Sequence, residues 1–165
     1  MIIWISSLLI LFISILYIAD RNKYANEEIQ LEKENIHLYD LKVETPLRFL
    51  VNYLGVQPVE LVDWEEQQFL EDLSTTFNNI ETGISNINNL EIGLIPKRIR
   101  ELLHNLQEEV ISLQENINKE KSLDQDTKEK IVNFSKSISL CKVEELNRSW
   151  EEIESELECL NELVR

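Results

Sequence analysis

Two histidines, two cysteines and a surplus of carboxylates are the side chains here with chemistry to offer, and their spacing assembles none of it. His37 and His104 lie on different segments. Neither has a second His, a Cys or a carboxylate at metal-ligand spacing beyond what the charge density of the chain supplies. A catalytic site needs a nucleophile, a base and a stabiliser of developing charge in one place. No Gly-rich phosphate loop, nucleophile elbow, CxxC pair or zinc-binding helix motif is present. Pairs such as Glu108-Glu109 and Glu151-Glu152 read as solvated helix faces. The sequence therefore points to no catalytic residue, cofactor, metal or small-molecule substrate, and to a protein that is not an enzyme.

Cys141 and Cys159 fall on what reads as one continuous helical stretch. In one straight helix about 27 Å of rise would separate them, so they could not bridge each other. This reads as a pair of inert thiols in a reducing compartment.

Residues that could recognise a partner are easier to find. Lys97, Arg98 and Arg100 open a helix, where the macrodipole disfavours cations. Pairing with nearby acids such as Glu101 or Glu91 is the plain explanation, and contact with an anion or an acidic partner is the functional one. The segment 46–54 is the most hydrophobic stretch beyond the N-terminus, with Arg48 its sole charge. Either it caps the end of a bundle, or Arg48, Phe49, Leu50 and Tyr53 form a partner contact. Between Glu144 and Glu162 the chain is rich in Glu, which reads as a solvated face, with recognition of a basic partner as the sharper idea.

The elements that must carry these residues are helices. Met1 to Ala19 contain no charged residue, and Asp20, Arg21 and Lys23 follow at once. About 18 apolar residues rise roughly 27 Å, close to the ~30 Å of a bilayer core. No basic residue precedes the run, and Tyr17 stands where a signal peptide would need a small residue. Residues 1–20 therefore read as a retained transmembrane anchor. Arg21 and Lys23 lie after it, which orients the N-terminus outside and the remainder in the cytoplasm or its organellar equivalent.

Residues 21–44 read as a polar stalk helix: Tyr24, Leu31 and Leu38 repeat at seven, but Glu27 and Glu34 spoil the partner positions. Thr45-Pro46 signals a helix start, and Gly55 a stop, giving a short apolar helix and loop over 45–62. Residues 63–165 read as an antiparallel three-helix, coiled-coil-like bundle with helices near 64–88, 97–121 and 127–164. Asp63/Glu66 and Asp126/Glu129 resemble capping boxes. The seams are regular: Leu70, Leu73, Phe77, Ile80, Ile84, Ile87; then Ile99, Leu103, Leu106, Val110, Leu113, Ile117. The last runs Ile131, Phe134, Ile138, Cys141 and, after a slip, Leu146, Trp150, Ile153, Leu157, Leu160, Val164. The slip reads as a stutter or bend.

A net charge of −15 repels nucleic acid. The reading is an all-α, single-pass membrane scaffold or adaptor that recruits protein partners or a second copy of itself. Its silhouette resembles the bitopic anchors with spectrin-like cytoplasmic bundles of bacterial division regulators, a likeness of architecture that no residue motif carries. The alternatives are an extracytoplasmic envelope coiled coil of spanin type, or an accessory subunit of a larger membrane complex.

Overall fold

The computed structural model describes the backbone of residues 2–55, 58–90, 93–119, 123–141 and 149–164, with side chains for this set except at 2–16, 19 and 119. The described residues are all-helical. Helix α1 covers Ile2–Tyr39, α2 Thr45–Leu54, α3 Gln67–Asn88, α4 Lys97–Lys119, α5 Gln125–Leu140 and α6 Trp150–Leu163. The chain divides into two compact units, Met1–Glu34 and Asn35–Arg165.

In the first unit the described side chains are exposed, including Tyr17, Ile18, Tyr24, Ile29 and Leu31. Local pairs one turn apart, Lys23–Glu27 and Gln30–Glu34, run along the helix. The expected membrane span falls largely on side chains outside the described set. Among the described residues no helix is long and apolar enough to cross a membrane.

The second unit begins ahead of the expected stalk boundary, at Asn35. Asn35, Ile36, Tyr39, Asp40, Val43 and Glu44 are all buried. Thr45-Pro46 does not start a new helix after a break either. The backbone passes from α1 through one π-helical turn, Asp40–Glu44, into α2, with Thr45 itself helical. Pro46 has no amide to give the carbonyl four residues back, and a widened turn accommodates this without a break. The Asp40 carbonyl that opens this turn accepts from both the Oγ1 and the amide of Thr45.

Most expected seam positions are buried, although Leu70 is only half-buried and Leu146 lies outside the described residues. Leu73, Phe77, Ile80, Ile84 and Ile87 of α3 are fully buried, as are Ile99, Leu103, Leu106 and Val110 of α4. Ser74–Asn118, Asn78–Gln114 and Glu81–Gln107 hydrogen bonds at 2.8, 3.3 and 3.1 Å set α3 antiparallel to α4. The entry to α3 differs from expectation. Asp63 caps only a turn, accepting from the Glu65 amide, and the helix begins at Gln67. The reason is Trp64, which is buried with its Nε1 donating to the Val59 carbonyl at 2.8 Å, so the chain must bend there before the helix starts.

The final helix is two helices. The expected single run over 127–164 ends at Leu140 and resumes at Trp150. Asp124, two residues before the expected cap, opens α5 by accepting from the Thr127 amide at 2.7 Å. Ser149 and Glu152 form a reciprocal capping box that opens α6. Arg98 meets Glu158 and Leu102 meets Asn161, so α6 runs parallel to α4. Phe134 shares a cleft with Leu163 and Val164, and Cys141 is bonded to Cys159, so α5 and α6 are antiparallel. A reversal of the chain leaves the same phase slip in a hydrophobic repeat as a stutter does.

Candidate functional site

Helix α2 buries one face and presents the other. Leu47, Leu50, Val51 and Leu54 recur at helical spacing and are buried against the core. Leu50 is 0% exposed, so of the expected contact residues it belongs to packing. Arg48 is committed inward too. Its Nη2 lies 2.8 Å from Oε1 of Glu44, a carboxylate buried one turn earlier. Gly55 closes the helix as expected, with φ at 63° and its amide donating to the Val51 carbonyl.

Phe49 is different. It is 53% exposed, and its ring stacks on Tyr53 at a centroid distance of 5.8 Å. Tyr53 stacks in turn on Phe69 at 5.3 Å, and Phe69 meets Trp64 edge-on at 5.5 Å. Lys128 lies 5.9 Å from the Trp64 ring. An aromatic row thus runs from the buried indole out to the open Phe49 ring, each member held by the one behind it. Beside Phe49 a groove of about 360 Å³ runs between α2 and α3, lined by Thr45, Pro46, Asp72, Thr75, Thr76 and Asn79.

Asp72 fixes the row chemically. Its Oδ2 accepts from the Tyr53 hydroxyl at 3.1 Å and its Oδ1 from Gln68 at 2.9 Å. Desolvation, then the hydrogen bond to Asp72 and the negative charge of Asp72 and Glu66, push the Tyr53 hydroxyl up to about 12. Tyr53 therefore stays neutral and donating at any physiological pH. A groove with an apolar ring, hydroxyls, an amide and a carboxylate can hold a side chain or a peptide.

The basic residues at the start of α4 are mostly spoken for. Lys97 pairs with Glu101 at 3.4 Å. Arg98 pairs with Glu101, one of the expected acids, and more closely with Glu158 of α6 at 2.7 Å. That hydrogen bond holds the Arg98 guanidinium above its ordinary value. Arg100 donates to the carbonyls of Asn88 and Leu90 at 2.7 and 3.0 Å. It satisfies orphan acceptors at the end of α3, where a cation also meets the negative end of the helix dipole.

His37 and His104 are exposed, and His104 lies 3.7 Å from Glu108 on its own helix. Among the described residues no group of three His, Cys, Asp or Glu could hold a metal ion.

The cysteines overturn the sequence expectation. Cys141 and Cys159 form a disulfide with Cα atoms 5.7 Å apart. The barrier to bridging was the assumption of one straight helix, and the reversal between α5 and α6 removes it. The signal that could have found this is Ser149-Trp-Glu-Glu152, a capping box inside a supposedly continuous helix. Compared with known proteins, the chain matches no family model, no curated protein and no solved structure.

Proposed function

We propose that the chain is a membrane-anchored helical adaptor, in which residues 1–20 fix location and the α2–α3 groove docks a protein partner without catalysis. The uncharged run from Met1 to Ala19 supports the anchor. The observation that carries the docking surface is Phe49: a large ring left open at a groove edge, while the aliphatic residues of α2, Leu47, Leu50, Val51 and Leu54, are buried. Exposed apolar groups set in a shaped, rigid surface are where partners bind. The net charge of −15 disfavours nucleic acid as that partner.

The test places a photo-crosslinking residue at Thr75, on the α3 side of the groove and exposed. It should trap a discrete protein, or a second copy of the chain, and Phe49→Ser should abolish the trapping while helicity persists. Trapping that ignores Phe49→Ser would place the contact elsewhere.

Orientation has two supports that pull apart. Arg21 and Lys23 after the uncharged run favour a cytoplasmic C-terminal domain. The Cys141–Cys159 disulfide favours the second reading, an extracytoplasmic envelope protein.

A further inference from the structure

We propose that residues 35–165 work on the oxidising side of the membrane, where thiol–disulfide exchange with an oxidised dithiol oxidoreductase closes the Cys141–Cys159 bond. This rests on the membrane-anchored reading above and decides its orientation.

The chain has two cysteines, and both enter this bond. Cys141 caps the end of α5 and Cys159 lies on α6, at a Cα separation of 5.7 Å. That lies near the mode for natural disulfides. No metal-binding group among the described residues gives the pair another employment. Reducing compartments keep such pairs as thiols, whereas secreted and periplasmic domains hold them oxidised. The opposing signal is Arg21 and Lys23, two positive charges that follow the uncharged run. So few charges orient a span weakly.

The structure also gives the order of attack. Cys141 is 5% exposed, whereas Cys159 is only half-buried. The Cys159 thiolate therefore attacks the oxidoreductase disulfide, forming a mixed disulfide and expelling one oxidoreductase thiolate. The Cys141 thiolate then attacks the Cys159 sulfur and expels the other. Two protons and two electrons leave the cysteine pair, and the oxidoreductase disulfide is reduced to its dithiol. The product ties the last turn of α5 to α6, the helix that carries Trp150 against Tyr39.

The test uses the full, unsubstituted chain in its own membrane. After acid quenching, a maleimide–polyethylene glycol should add to neither cysteine, and after reduction it should add to both. In a Cys141→Ser/Cys159→Ser background, Ser155→Cys, at an exposed position on α6, should react with a membrane-impermeant maleimide in intact cells. Thiols that react without prior reduction, or a Ser155→Cys label that needs permeabilised cells, would overturn the proposal. Alkaline washing of the membranes reads the anchor separately. If the chain washes off, the anchored reading fails, and the thiol assay still reports the compartment.

Discussion

Gly83, midway along α3, meets the backbone carbonyl of Lys42 in the π-helical turn at a separation that leaves no room for a β-carbon. The two elements can pack this closely only because position 83 has no side chain. Gly83→Ala therefore sets two effects against each other. Ala should favour the helix by about 1 kcal/mol, while overpacking against rigid backbone costs about 1–3 kcal/mol or more. The clash should win, and urea denaturation should show a net loss of stability. A gain would mean that the turn gives way easily. Gly93 provides the contrast: its φ is 104°, and a β-carbon there would have open space around it. Gly93→Ala meets conformational strain but no clash.

Trp150 is 9% exposed and packs edge-on against Tyr39 at 6.2 Å. Trp150→Ala should cost about 3–5 kcal/mol in the same measurement. A loss below about 1 kcal/mol would show that the indole is not part of the core.

Adjacent residues on α2 should behave oppositely. Arg48 neutralises Glu44, which is 0% exposed. Arg48→Met removes the guanidinium that lies 2.8 Å from this buried carboxylate and should cost about 3 kcal/mol. Phe49→Ser, at a site 53% exposed, should cost much less and act on partner binding instead. Equal losses of stability would make Phe49 a packing residue.

The Tyr53 hydroxyl, held up at about 12, links the aromatic row to pH. An unfolded tyrosine ionises near pH ~10. A folded pKa above the unfolded one contributes stability that is complete below about pH 10 and lost as pH rises through the folded value. Subtracting the tyrosinate absorbance of Tyr53→Phe from that of the parent should leave a single titration at about 12. A difference titrating at the unfolded value would mean that in solution Tyr53 is neither desolvated in the aromatic row nor bonded to Asp72.

Arg100 and Arg98 lie close together on α4 but carry different loads. Arg100→Ala frees two carbonyls at the end of α3 and should cost about 1.5–3 kcal/mol. Arg98→Ala breaks an exposed ion pair with Glu158 and should cost less. The reverse ranking in denaturant midpoints would contradict the account of this helix junction.

The hydrophobic seams were legible because each is a local repeat that only one helix face satisfies. Leu73 to Ile87 and Ile99 to Ile117 are buried at the seam positions. Three features were not local. The π-turn at Asp40–Glu44 arises where a Pro-bearing helix must continue for the sake of packing, and the Thr45-Pro46 pair alone reads as a start. Gly83 looks like a tolerated helix glycine until the Lys42 carbonyl is placed against it. The reversal before Trp150 is hidden because periodicity records which residues face inward, not which way the helix runs. Of the contact residues read from sequence, Phe49 lines the groove and Tyr53 stacks behind it, while Leu50 joins the core and Arg48 serves Glu44. The groove itself depends on α3 residues distant in sequence, Asp72 to Asn79, which no pattern near Phe49 could reveal.

The proposed anchoring of this helical domain by residues 1–20 is decided by intact-mass measurement of the protein recovered from alkaline-washed membranes. A retained anchor predicts recovery in the membrane fraction with a mass that includes residues 2–20. A mature chain beginning near Asp20, or recovery in the wash alone, would contradict it.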